Sequence, residues 1–181
     1  VQLVKERLPK HYQYDSVKDI QVLAPMKKGE TGTINFNKEL QQALNPPLGW
    51  KKEKELKEKI FRVGDKVMQI KNNYILKWES QDPDSQEEKG EGVFNGDIGY
   101  IHSIDDEQQE LIVLFDDYKL VTYSFSQLDE LELAYCVTIH KSQGSEFPVV
   151  VMPIAWGPPM LLTRNLLYTA ITRAKKLVVL V

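Results

Sequence analysis

The sequence predicts an α/β fold: a parallel sheet with its helices, interrupted mid-chain by a small β-barrel. Three observations predict it. Short apolar runs at 134–139, 149–154 and 177–181 are continuous rather than alternating, as in strands buried on both faces of a parallel sheet. A segment of helical period lies between the last two of these runs. From 61 to 131 the texture changes to short β-rich stretches separated by Gly, Asn and Asp turn signals.

Taken in order, Val1, Val4 and Leu8 stand at helical spacing before Pro9, like the tail of a helix whose start lies upstream in a longer protein. Residues 19–24 (DIQVLA) read as a strand ended by Pro25. A loop with Gly29 and Gly32 follows, and Thr33 is expected to N-cap a helix with Phe36, Leu40, Ala43 and Leu44 on its apolar face. Asn45-Pro46-Pro47 stops that helix. The alternating Lys and Glu of 51–59 read as a solvated surface segment.

In the β-rich part, 63–70 form a strand after a turn, and Asn95-Gly96-Asp97 within 93–104 has hairpin character. Residues 111–115 and 120–125 are two further strands around Asp116-Asp117. The polar, acidic stretch 80–92 reads as a mobile loop. Beyond 132 the α/β texture resumes. A helix is expected from about 164 to 175, capped by Thr163, with Leu166, Leu167, Ala170, Ile171 and Ala174 inward. The domains expected are thus 1–60 and 132–181 for the α/β part and 61–131 for the barrel.

The 181 residues suffice for one good core or two small ones, and an apolar fraction of 42% excludes disorder as a description of the whole. A net charge of -3 argues against non-specific nucleic-acid binding, while leaving room for a local basic groove. The single cysteine, Cys136, sits in an apolar run; it has no internal partner and points to a reducing, cytoplasmic setting. No apolar run is long enough for a membrane span.

Several chemistries lack their residues here. There is no G-x-x-x-x-G-K-[ST] phosphate loop, no acidic pair ending an apolar strand, no G-x-S-x-G elbow and no metal-spaced Cys/His cluster. The chain by itself is therefore expected to turn nothing over. The polar residues that stand out are Thr138, His140, Lys141, Ser142, Gln143, Gly144 and Glu146. They start in one apolar strand and run past its C-terminal end, where open α/β sheets gather ligands. Hydroxyl, imidazole and amide donors suit phosphate oxygens, and Glu146 suits a sugar hydroxyl. Arg173, on the last helix beside Thr169 and Thr172, offers a planar fork for phosphate. Lys27 and Lys28 follow the first strand. Spacing leaves each of these open to a plainer reading as a turn residue or solvated cation. Trp50, Tyr74, Trp78 and Tyr100 offer faces for stacking bases, while for Tyr168, on the last helix, core packing is the default.

VTIHKSQGSEFPVVV resembles motif V, and LLYTAITRAK motif VI, of superfamily 1 helicases, in the spelling of the RecD-like branch, the family of the exodeoxyribonuclease V alpha subunit. VLAPMKKGETGTINFNKELQQALNP resembles that branch's motif IV region. FRVGDKVMQIKNNY and GVFNGDIGYI resemble the SH3-like barrel it inserts into its second RecA-like domain. The resemblance implies a second RecA-like domain of the P-loop NTPase type plus this barrel, from an enzyme that couples ATP hydrolysis, with Mg2+, to 5′→3′ movement on single-stranded DNA. It implies Arg173 as an arginine finger, Gly144 and Glu146 near the nucleotide, and Thr138 and His140 near the DNA backbone. It places Lys141 and Gln143 in the DNA-facing motif, and Lys28 where relatives often carry a nucleotide-binding arginine. The implied partners are the first RecA-like domain of the same polypeptide and other exodeoxyribonuclease subunits. A rival reading is a protein-binding module built on the barrel.

Overall fold

The computed structural model describes residues 1–82, 88–154 and 163–181. The chain forms two compact units, Val1–Pro46 with Tyr135–Val181, and Pro47–Ala134. The composition boundary at 60/61 falls inside a strand, so the β-rich unit takes in the residues from Pro47 onward.

The α/β unit opens with a π-helical turn, Leu3–Arg7, that runs into α1 (Leu8–Tyr12). The helix passes through Pro9 because Pro9 stands in the first turn of α1, where its fixed φ is already helical. Val4 and Leu8 are buried, as their spacing required. Strand β1 (Ile20–Ala24) is buried at every position. Helix α2 (Thr33–Leu44) is preceded by Gly32, which takes the cap position; Thr33 is the first helical residue and lies buried. A Cβ on Gly32 would come within 2.6 Å of the Lys27 and Lys28 backbone, so the loop after β1 closes only around a glycine. The buried face of α2 is Thr33, Asn37, Leu40 and Gln41, more polar than expected; Phe36, Ala43 and Leu44 are half-buried.

In the β-rich unit, β2 (Glu53–Leu56) and β3 (Lys59–Arg62) form a hairpin turning at Lys57, φ 57°. The Lys/Glu run of 51–59 is therefore a strand and its turn. Its charges alternate because a ribbon with one face in solvent has a period of two. Glu53 lies opposite Arg62 and accepts from its Nε at 2.6 Å. After a turn at Gly64 come β4 (Lys66–Gln69), β5 (Asn73–Ser80), β6 (Lys89–Val93), β7 (Ile98–Asp105), β8 (Glu110–Phe115) and β9 (Lys119–Ser124). A 3-10 turn and β10 (Leu131–Leu133) complete it. These pair antiparallel in the order β10-β4-β7-β8-β9-β5-β6, over a core that includes Phe61, Val67, Ile101, Val113, Tyr123 and Leu131.

Two sequence expectations change here. Residues 80–92 are not a loop throughout: β5 reaches Ser80 and β6 begins at Lys89, with Trp78 opposite Gly90. Residues 83–87 lie outside the described set. The Asn95-Gly96 turn does not join a pair of strands: β6 pairs with β5, and β7 with β4 and β8. Instead, Gly96 donates to the Gln69 carbonyl at 2.9 Å. Gln69 is itself buried; it accepts from the Tyr123 hydroxyl and donates to Glu130, both at 2.9 Å.

The chain then returns to the α/β unit with β11 (Cys136–Thr138), β12 (Phe147–Met152), α3 (Arg164–Ile171) and β13 (Ala174–Leu180). The sheet order is β11-β1-β12-β13, all parallel. Thr163 caps α3 as expected, accepting from the Leu166 amide at 3.3 Å. The helix ends at Ile171, however, and Ala174 already belongs to β13, because a strand takes over where Phe147 pairs with Ala174. Of the expected inward stripe, Ala170 is buried, Leu166, Leu167 and Ala174 are half-buried, and Ile171 is exposed. Strands β1 and β12 are buried as continuous apolar runs should be; β13, at the sheet's edge, is half-exposed. Ala155, at the end of the apolar stretch after β12, lies outside the described residues. Among the described residues no helix is long and apolar enough to cross a membrane.

Candidate functional site

The register of the sheet sorts the singled-out residues onto two opposite edges. Thr138 is level with Ala24 at the C-terminal end of β1, while Val149 is level with Ile20 at its N-terminal end. Thr138 and Phe147 are thus six residues apart in height, about 20 Å along the strands. The segment between them leaves the C-terminal edge and descends to the N-terminal one.

At the C-terminal edge, Ile139 donates to the Ala24 carbonyl, and a 3-10 turn spans His140–Ser142. Thr138 fixes that turn: its Oγ1 accepts from the Lys141 amide at 3.3 Å. Ser142, fully buried, donates from Oγ to the Ile139 carbonyl at 2.7 Å. With these groups engaged inward, His140 and Gln143 are left exposed and Lys141 half-buried. The loop from Met26 to Gly32 follows β1 at this same edge, so Lys27 and Lys28 stand with Thr138 and His140 and not with Arg173.

Between the two edges, in the turn where the Ser145 amide donates to the Ser142 carbonyl at 3.1 Å, Gly144 has φ +88°, a backbone that L side chains rarely adopt, and the space around its Cα is open. At the N-terminal edge stands Arg173. Arg173 lies in the turn between α3 and β13, rather than on the helix. Its carbonyl accepts from the Phe147 amide at 2.8 Å, which ties the turn to the start of β12. Its guanidinium donates from Nη1 to the Ser145 carbonyl and from Nη2 to the Thr172 hydroxyl, both at 3.3 Å. The Nε–H is buried and has no hydrogen-bond partner. Glu146 forms a solvent-exposed ion pair with Lys175 at 3.4 Å. Sheet pleating puts Arg173 and Lys175, either side of Ala174, toward one face. The guanidinium is thus held loosely against the glycine-bearing turn, with donor capacity to spare.

Sequence reasoning passed over Asn37, Ser145 and Lys175. Asn37 carried a signal: it is a polar residue four after Thr33, on a helix face that buries its side chains. Ser145 acts through its main chain, which leaves no trace in residue type. Cys136 is buried, and desolvation pushes its thiol pKa well up, so it is an inert core residue. Among the described residues there is no cluster of His, Cys, Asp and Glu that could hold a metal.

Two family models divide the chain between them. Residues 36–115 match the ATP-dependent RecD-like DNA helicase SH3 domain, and residues 133–181 the UvrD-like helicase C-terminal domain. The chain belongs to the RecD-like helicases. It is 35% identical to the ATP-dependent RecD2 DNA helicase of Deinococcus radiodurans over 86% of its own length, and 29% identical to the RecBCD enzyme subunit RecD of Mycolicibacterium smegmatis over 85%. An uncharacterized protein of Methanocaldococcus jannaschii is 37% identical over 87%. This RecD-like chain spans 19%, 23% and 14% of those relatives' lengths, respectively. Its fold is shared with Pif1 helicase from Bacteroides in complex with ADP-AlF3 and ssDNA (TM-score 0.53, 18% identity, 98% of this chain and 43% of that one). It is shared too with Pif1 from Candida albicans (TM-score 0.51, 16% identity, 97% of this chain and 48% of that one). The expected fold, a RecA-like sheet with an SH3-like barrel inserted, is the observed one.

Proposed function

We propose that this chain is the second motor domain and barrel of an ATP-dependent DNA helicase that moves 5′→3′ on single-stranded DNA, and that the two sheet edges divide the work. The C-terminal edge, with Thr138, His140, Lys141, Gln143 and Lys28, takes the DNA backbone. Exposed imidazole, amide and ammonium groups around a pinned turn suit phosphate oxygens. The register supports moving Lys28 from the nucleotide to this group, since Lys28 follows the C-terminal end of β1 and Arg173 precedes the N-terminal end of β13. The N-terminal edge closes an ATP site whose phosphate loop belongs to another domain.

The observation that carries this reading is the state of Arg173. A guanidinium with a buried, unpartnered Nε–H and two long hydrogen bonds fits a phosphate oxygen better than it fits its present neighbours. ATP bound there would supply the bond to be broken. Arg173 would neutralise charge on the transferred phosphoryl, Gly144 would let the backbone come close, and Glu146 would accept from a sugar hydroxyl. Any Mg2+ accompanying the nucleotide would take its protein ligands from the other domain. The chain alone would then hydrolyse nothing, and the full-length protein would work in the cytoplasm, on DNA, with or without exodeoxyribonuclease partners.

The test is the full-length protein with Arg173→Ala. ATP binding should persist while hydrolysis falls on the order of 10³-fold or more. Turnover equal to wild type would end the proposal.

A further inference from the structure

The start of β13, just past Arg173, is irregular, and the cause is in the sequence. The facing strand β12 carries Pro148, which has no N–H to give to a ladder. The register slips there: Phe147 is level with Ala174 and Val149 with Leu177, so β13 spends one residue more than β12. The surplus makes a bulge, a device that re-aims side chains and is common beside active sites. Lys175 and Lys176 lie in it, both exposed. Lys175 reaches the Glu146 carboxylate at 3.4 Å, one residue beyond the Ser145 carbonyl that takes the Arg173 guanidinium. Water has access to both partners of that ion pair, 56% and 60% exposed, so the pair adds little stability and can change partners.

We propose that Lys175 is a second phosphate ligand of the nucleotide site, neutralised by Glu146 until nucleotide arrives; this rests on the reading of Arg173 given above. Glu146 then turns to the sugar hydroxyl, and the released ammonium turns to the polyphosphate. Glu146 fixes the direction: a cation beside the sugar's acceptor meets the phosphates nearer the sugar. Along a strand, positions 173 and 175 stand about 6 to 7 Å apart, which leaves the terminal phosphate to Arg173. The residue types agree. A planar fork suits the phosphoryl group that is transferred, and a point charge suffices for phosphates that are only held. Without Glu146 the empty site would set Arg173 and Lys175 side by side with no counter-charge.

The experiment is titration of the full-length protein with a fluorescent ADP analogue, with ATP turnover measured in parallel. ADP lacks the terminal phosphate. Lys175→Gln should weaken ADP and raise the KM for ATP, each by about tenfold, with kcat kept. Lys175→Arg should restore most of the ADP affinity, and Lys176→Gln should not disturb it. Arg173→Ala should do the opposite of Lys175→Gln, keeping ADP and losing kcat. Inorganic pyrophosphate, which has no sugar, should bind Glu146→Gln more tightly than wild type. An equal loss of ADP in Lys176→Gln would show a diffuse cationic field and overturn the proposal. If Arg173→Ala abolishes turnover while Lys175→Gln binds ADP as wild type does, this inference alone falls. If Arg173→Ala turns over ATP at the wild-type rate, the nucleotide reading falls and takes this inference with it.

Discussion

The side-chain amide of Asn37 pairs with both main-chain polar groups of Cys136: Nδ2 donates to the carbonyl and Oδ1 accepts from the amide, each at 2.8 Å. Cys136 lies opposite Val22, whose amide bonds to Tyr135, so in a parallel ladder the N–H and C=O of Cys136 point away from β1. One side chain of α2 therefore does what a further strand would do at the edge of the sheet. It also fixes the strand that leads into Thr138 and His140.

Asn37→Ala should strip both groups of their partner in a buried place. The expected cost is about 2 to 4 kcal/mol, seen as a lower urea midpoint. Asn37→Asp keeps the acceptor but sets a carboxylate oxygen against the Cys136 carbonyl, so at neutral pH it should cost at least as much as Asn37→Ala. An unchanged midpoint for Asn37→Ala would show that water replaces the amide without loss.

Gly144→Ala separates space from backbone angle. The site has room for a methyl group, but φ +88° does not suit one. A cost of about 1 to 3 kcal/mol in thermal stability is expected from strain alone. A neutral substitution would mean that the turn relaxes freely.

Lys28 and Arg173 should dissociate functionally in the full-length protein. Lys28→Ala is expected to weaken single-strand binding and reduce the salt slope by about one, with the ATP turnover number kept. Arg173→Ala should do the reverse. If Lys28→Ala instead raises the KM for ATP and leaves the salt slope alone, the two-edge division is wrong.

Alkaline pH should destabilise the fold. Burial raises the pKa of Cys136, and burial together with Glu130 and Asp97 raises that of Tyr123. Both groups stay neutral when folded, and in the unfolded chain they ionise near their ordinary values of roughly 8.5 and 10. The unfolded state thus binds fewer protons above those values, and stability falls as pH rises through them. Thermal melts from pH 7 to 10.5 check this, with Tyr123→Phe expected to flatten the upper part. A thiol reagent should label Cys136 in urea and not in the native protein.

How much of this was legible beforehand depended on what carried the signal. Continuous apolar runs announced β1 and β12, because burial on both faces leaves no room for polar side chains. The same logic overstated β13, where an edge strand keeps apolar residues half in water. The Lys/Glu run of 51–59 hid β2, since charge alternation on a ribbon looks like a solvated surface. The residues of motifs V and VI were legible as spellings. Their split between two edges was not, because register is a relation between strands: only the pairing of Ala24 with Thr138, of Ile20 with Val149 and of Phe147 with Ala174 shows that Thr138 and Arg173 stand at opposite ends.

From Thr138 to Phe147, with one 3-10 turn included, the backbone can reach roughly 25 Å at most. The descent between the two edges takes up nearly all of it. A tether with so little slack transmits displacement instead of absorbing it, so a pull on Phe147 arrives at Thr138. One glycine inserted after Gln143 would loosen the line, and should leave DNA affinity and ATP turnover each near normal while each ceases to respond to the other.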